Sequence, residues 1–123
     1  MILDTSAWIE FFNQSNNYTR VKECLENKNC YTSIISVAEI SLWAQRQNID
    51  GQLLISKVGA FSKLLPITSQ IAFVAGEIDH KRKKAKIHWG MIDSLIVATA
   101  QSYNIPILTK DSHFKDLKNA ELI

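Results

Sequence analysis

Asp93-Ser94-Leu95-Ile96-Val97-Ala98-Thr99-Ala100-Gln101-Ser102-Tyr103-Asn104-Ile105-Pro106-Ile107-Leu108-Thr109-Lys110-Asp111 is the most informative stretch of the chain. Leu95, Ile96, Val97, Ala98 and Ala100 make its first part apolar on nearly every side. A helix with no polar face is a buried one. Ile105 to Thr109 is a short, almost wholly apolar run punctuated by Pro106, and it reads as a buried strand. The same alternation recurs on the N-terminal side. Met1-Ile2-Leu3 is an apolar run ended by Asp4-Thr5-Ser6, which can cap a short helix, Ala7 to Phe12. Tyr18 to Glu26 puts Val21, Cys24 and Leu25 on one helical face, and Cys30-Tyr31-Thr32 predicts a second strand. Ser36-Val37-Ala38-Glu39 fits a capping box opening a helix to about Gln47. Gly51 to Ser62 is helical by spacing and leads to a strand, Leu64 to Ile67. Thr68 caps a long helix that runs to a basic stretch, and Glu121-Leu122-Ile123 closes the chain as a last strand. Strands alternating with helices imply crossovers, and therefore an α/β class with a mostly parallel sheet covered on both faces.

Composition narrows the function. At 123 residues and 14.0 kDa, residues 1–123 are expected to form one domain. A hydrophobic share of 46% and a charged share of 21% exclude disorder. No apolar run reaches the ~18 residues of a membrane helix, and Met1-Ile2-Leu3-Asp4 lacks the basic opening of a secretory leader. A cytoplasmic location is expected. Cys24 and Cys30 lack zinc-ligand spacing and read as small buried thiols in a reducing compartment.

The formal charge of +2 does not point to nucleic acid, but it hides an asymmetry. Residues 1–62 hold five basic and six acidic side chains, whereas residues 63–123 hold nine and six. Five of those nine are Lys81, Arg82, Lys83, Lys84 and Lys86, flanked by His80 and His88. Such a stretch is either a solvated helix C-terminus favoured by the helix dipole or a phosphate-binding edge.

Ligands in an open parallel sheet bind beyond the carboxyl ends of the strands, so the acids found there matter. Asp4 follows the first strand, and Asp111 lies two residues past Thr109. Glu39 is expected in the first turn of the helix after the second strand, and Asp93 at the start of the buried helix. One topology brings all four to one rim. Each also has a structural reading: Asp4, Glu39 and Asp93 as helix-capping groups, Asp111 as a turn acid. Two carboxylates ~4 Å apart repel by about 4 kcal/mol at an effective dielectric of ~20. Four together need protons or a cation. An all-oxygen set without His or Cys suits Mg²⁺ or Mn²⁺, whose bound waters a hydrolase can activate. That chemistry matches water attack on a phosphodiester, with the basic stretch attracting the polyanion.

These residues carry a family resemblance. Met1-Ile2-Leu3-Asp4-Thr5-Ser6, Ser36-Val37-Ala38-Glu39-Ile40, Gly90-Met91-Ile92-Asp93-Ser94-Leu95-Ile96-Val97-Ala98-Thr99-Ala100 and Ile107-Leu108-Thr109-Lys110-Asp111-Ser112-His113-Phe114 resemble, in order, the four acid-bearing segments of the PIN-domain nucleases. The size and layout are similar to those of the VapC-type ribonuclease toxins of toxin–antitoxin pairs. The resemblance implies a three-layer α/β/α fold and Mg²⁺- or Mn²⁺-dependent cleavage of RNA. It implies Asp4, Glu39, Asp93 and Asp111 as metal-site acids, with the hydroxyls of Ser6 and Thr109 orienting carboxylates or metal waters. Lys81, Arg82, Lys83, Lys84, Lys86 and Lys110 are the candidate RNA-binding cations. The resemblance further implies a homodimer and an inhibitory protein antitoxin, and Trp8, Phe11 and Phe12 are candidates for the antitoxin's groove or for plain core. His113 stands where some members have an acid, so a fifth carboxylate is not expected.

Two rival classes fail on their chemical residue. A receiver domain needs an acidic pair after the first strand and an Asp after a central one, and Leu65-Pro66-Ile67-Thr68 offers none. A dehalogenase-type phosphatase needs Asp-x-Asp where this chain has Asp4-Thr5-Ser6. A housekeeping RNA-processing nuclease and a non-catalytic nucleic-acid-binding module on the same fold stay open as alternatives. The latter is disfavoured because all four acids are present.

Overall fold

The computed structural model describes residues 1–27 and 29–123. Five strands, β1 (Ile2–Leu3), β2 (Tyr31–Ser33), β3 (Lys63–Leu65), β4 (Ile107–Thr109) and β5 (Ala120–Leu122), form one sheet in the order β3-β2-β1-β4-β5. Every pairing is parallel, with Ile2 opposite Tyr31 on one side and Ile107 on the other. The helices are α1 (Thr5–Phe12), α2 (Tyr18–Glu26), α3 (Ile34–Arg46), α4 (Gly51–Phe61), α5 (Ser69–Lys83) and α6 (Met91–Tyr103), with a 3₁₀ turn at Ser112–Phe114.

Side-chain alternation along the central strands builds two cores and so three layers. Leu3 and Leu108 point to one face, where Ala7, Trp8, Val21, Leu25, Ile40, Ala44, Leu54 and Val58 of α1 to α4 cover them. Ile2 and Ile107 point to the other, against Trp89, Ile96, Val97, Ala100 and Phe114. There α5 joins α6 through Ile71, Ala75 and Ala98. The expected cover on both faces holds for the centre only. Lys63 and Leu64 of β3 are exposed, and β5 is half-buried to exposed, because each edge strand has a single neighbour.

Several boundaries differ from expectation. The Ser36 capping box does not form. Ser33 ends β2 and caps α3 through Ile35 N–H, so the helix starts two residues before Ser36. Ser36 lies inside α3, and its buried Oγ has no partner among the described residues. Glu39 therefore stands in the second turn, not the first. The basic stretch is split: Lys81 to Lys83 close the last turn of α5, while Lys84 to Lys86 follow it. Trp8 is wholly buried, with its indole N–H donating to Thr32 Oγ1 at 3.0 Å, so it is core and not groove.

Candidate active site

The strand order 3-2-1-4-5 reverses direction between β1 and β4, and that switch point is where an open α/β sheet forms a crevice. Asp4 and Thr109 end the two strands that flank it. Asp4 is buried and caps α1, its Oδ1 accepting from Ala7 N–H at 2.9 Å and from Ser6 Oγ at 2.7 Å. Its Oδ2 accepts from Thr109 Oγ1 at 2.5 Å. Thr109 Oγ1 in turn accepts from Asp111 N–H at 2.9 Å, and Ser6 Oγ accepts from Lys110 N–H at 2.8 Å. The two hydroxyls thus lock the Asp4 carboxyl to the loop that carries Asp111. The capping reading of Asp4 and its place at the crevice describe the same geometry.

The other three acids are each held by a local donor. Glu39 Oε1 accepts from Thr5 Oγ1 at 2.5 Å, which ties α3 to the first residue of α1. Asp93 Oδ2 accepts from Gly90 N–H at 3.0 Å, at the start of α6. Asp111 Oδ1 accepts from His113 N–H at 2.8 Å and stands 2.8 Å from His113 Nδ1.

Electrostatics shows that the acids share one neighbourhood. Burial pushes the Asp4 carboxyl up to about 6; the hydroxyls of Thr109 and Ser6 pull it down, and the Asp111 charge adds to the rise. Burial also raises Asp93, against the Gly90 hydrogen bond, with further upward pressure from Asp111 and then Glu39. Asp111 is the common neighbour, felt by both Asp4 and Asp93. Yet among the described residues no three His, Cys, Asp or Glu side chains stand close enough to enclose a metal ion as they are. Each carboxylate is instead hydrogen-bonded to its own N–H or hydroxyl.

Two elements of the surroundings escape motif reading. Buried Glu10 receives Lys110 Nζ at 2.6 Å and Asn17 Nδ2 at 3.0 Å. The Lys110 hydrogen bond holds its carboxyl below the usual range. Arg82 lies over the Trp89 ring, 3.9 Å from its centroid, and donates to His113 carbonyl at 2.9 Å and to Asp116. Trp89 N–H reaches Ser94 Oγ at 2.7 Å, so Arg82 braces the 3₁₀ turn against α6. A one-dimensional pattern of charges could not have shown this; only the Trp89 beside a basic run hinted at it.

The candidate RNA-binding cations consequently divide. Arg82 is held by Asp116, Lys83 lies 3.4 Å from Asp79, Lys86 3.3 Å from Asp116, and Lys110 sits on Glu10. Lys81 and Lys84 are exposed and have no ion-pair partner among the described residues. Replacing Arg82 by Ala is expected to cost roughly 2 kcal/mol, mostly through Trp89 and the His113 carbonyl. Asp116 faces solvent and adds little, and the buried, unpartnered Arg82 Nε offsets part of the gain. Chemical denaturation of the variant would read this; an unchanged midpoint would mean the brace is idle.

A parallel α/β fold with a buried Asp4 tied to the Asp111 loop at its switch point is the class that the geometry defines. Residues 1–120 match the family described as PIN domain. A curated relative, Ribonuclease VapC of Rickettsia bellii (strain RML369-C), is 34% identical over 129 residues, covering 100% of this chain and 94% of the relative. The chain belongs to the PIN-domain family, in its VapC-type toxin–antitoxin branch.

Solved structures agree on the fold. A toxin–antitoxin complex from Klebsiella pneumoniae superposes with a TM-score of 0.77 at 19% identity, covering 98% of this chain and 94% of that one. A sarcin-ricin loop cleaving VapC toxin from Mycobacterium tuberculosis gives 0.76 at 15% identity, covering 98% and 97%. A VapBC complex from Rickettsia felis, solved on a DNA fragment from its promoter, gives 0.75 at 19% identity, covering 99% and 96%.

Proposed function

We propose that residues 1–123 form one metal-dependent endoribonuclease domain, the toxin of a toxin–antitoxin pair. The observation that supports this best is geometric: the hydroxyls of Thr109 and Ser6 lock the buried Asp4 carboxyl to the loop that carries Asp111. Burial raises both Asp4 and Asp93 and the Asp111 charge adds to each, a strain that a bound cation would relieve. The donor chemistry fits a hard divalent cation, since all four candidates are carboxylates and no thiol or imidazole is needed. Asp4, Glu39, Asp93 and Asp111 would hold Mg²⁺ or Mn²⁺. The ion would supply Lewis acidity and an activated water at neutral pH.

This chain's own residues set the rest. Thr109 and Ser6 hold the Asp4 carboxyl in one orientation, so its position does not depend on a flexible rotamer. Asp93 is anchored on the first turn of a buried helix, which fixes its approach. Of the six candidate cations, Lys81 and Lys84 are the ones without an ion-pair partner among the described residues, and they are left to meet RNA phosphates. The relatives' names support a protein antitoxin as partner. Of the aromatic candidates for its groove, Phe11 lines an apolar cavity with Tyr18, Leu25 and Phe61, while Trp8 does not. A homodimer and a cytoplasmic site of action complete the reading. No described helix is long and apolar enough to cross a membrane.

Incubation of mixed RNAs with the purified protein tests the function. Cleavage should require Mn²⁺ or Mg²⁺, stop with a chelator, and be lost in Asp93→Asn. Cleavage that persists in that variant at the wild-type rate would sink the assignment. A companion expectation concerns the exposed cations. Lys81→Gln with Lys84→Gln should weaken RNA binding and lower its salt slope by roughly 0.7 for each phosphate left unneutralised. Lys83→Gln alone should change the slope little, because that ammonium already serves Asp79. Equal effects in both would mean that pairing with Asp79 does not withhold Lys83 from RNA.

A further inference from the structure

Cys24 and Cys30 are absorbed by neither the active site nor the fold's polar network, and their arrangement differs from that of two ordinary core thiols. Cys24 sits in the last turn of α2, and Cys30 immediately precedes β2. Both are free and buried, yet their sulfurs lie 3.1 Å apart. Cys30 Sγ also donates to the Cys24 carbonyl at 2.9 Å, which fixes the pair's rotamers toward each other. A disulfide needs sulfurs at about 2.05 Å, so closure asks for roughly 1 Å of movement. We propose that Cys24 and Cys30 form a reversible intramolecular disulfide, a redox modification site at the end of the sheet where β2 begins, away from the strand ends that carry the acids.

Two features of the surroundings favour the reaction. With the single Cys30 S–H turned from the Cys24 carbonyl to the Cys24 sulfur, hydrogen bonding brings Cys24 down to about 7, against burial, and the N-terminal ammonium and Arg20 charges help. The thiolate is the nucleophile in such chemistry, so Cys24 attacks and Cys30 resolves. Access is the second. A cavity of about 770 Å³, lined by Phe11, Tyr18, Leu25, Tyr31 and Phe61, brings a small oxidant to Cys30, whose sulfur is 3.1 Å from that of Cys24.

The oxidant is a hydroperoxide. Cys24 sulfur attacks one peroxide oxygen; an S–O bond forms, the O–O bond breaks, and hydroxide leaves and is protonated to water. Cys30 then loses its proton and attacks the Cys24 sulfenic acid, forming S–S and expelling the second oxygen as water. Two thiols are oxidised by two electrons and one peroxide is reduced to two waters. A cellular dithiol reverses the step by exchange. The bridge would harden the cavity wall, because Cys30 carbonyl accepts from Lys63 N–H at 3.0 Å and Tyr31 begins the β2 ladder.

Intact-mass measurement on the folded full chain treated with stoichiometric hydrogen peroxide tests the proposal. The expected result is a loss of about 2 Da with both thiols protected from alkylation, reversed by dithiothreitol. Cys24→Ser and Cys30→Ser should each fail to lose mass. Oxidation that occurs only in denaturant, an adduct of added oxygen in place of the mass loss, or a disulfide-linked dimer of wild type would each overturn it. Nuclease activity does not enter this readout, so the disulfide and the nuclease function stand or fall separately.

Discussion

Asp4→Asn is expected to abolish RNA cleavage and at the same time to stabilise the protein above neutral pH. The loss should exceed about 100-fold, since even groups that only orient metal ligands are worth 10- to 100-fold. The gain in stability follows from the sign of the Asp4 shift. Its folded value of about 6 lies above the ordinary 3.8, so the folded state holds the proton more tightly than the unfolded one. That advantage is fully present below about pH 4 and is lost as pH rises through 6. The lost stability amounts to roughly 3 kcal/mol for a shift of this size. Asparagine keeps an oxygen for Ala7 N–H and Ser6, and can donate to Thr109 Oγ1, so the cap survives without the buried charge. Thermal denaturation of the metal-free protein at pH 4 and pH 8 reads the effect. The variant should melt above wild type at pH 8 and near it at pH 4. A variant that melts lower at both would show that the carboxylate is a structural cap only.

The second large effect is that of a divalent cation on wild-type stability. A ligand that binds only the folded state stabilises by about 2.7 kcal/mol at a hundred times its dissociation constant. For a chain of this size that is a rise in Tm of roughly 10 °C. Mn²⁺ should therefore raise the melting point at pH 8 and do much less at pH 4, where Asp4 is protonated and protons compete at Asp93. Protons and cation contend for one set of oxygens. Asp4→Asn should already hold much of the gain without metal and respond weakly to it. A Mn²⁺ effect equal in wild type and variant would place the ion elsewhere on the molecule.

How far the sequence could be read depended on whether the signal was local. The alternation of buried helix and apolar strand around Asp93 to Thr109 is local, and the α/β class and the parallel sheet followed from it directly. The placing of Asp4, Asp93 and Asp111 near one another followed from topology, since strand ends and helix starts share an edge. The fine geometry did not follow. Ser33 and Ser36 are both good capping residues, and only the point where β2 stops decides in favour of Ser33. Thr5 holds Glu39 across 34 residues, and Thr109 holds Asp4 across 105, separations that no spacing rule spans. The basic stretch shows the same limit. Its five clustered cations look equivalent in sequence, but Trp89, Asp116 and Asp79 claim three of them in space. Trp8 has two readings in sequence, groove or core, and the structure decides for core, because the sheet buries it completely.

Binding of Mn²⁺ to the chelator-stripped protein near pH 7.5, followed by calorimetry, tests whether the crevice acids form a cation centre. If they do, wild type binds saturably, and binding is lost in both Asp4→Asn and Asp93→Asn while each variant stays folded. Binding of equal strength in the two variants would contradict a cation centre at the crevice.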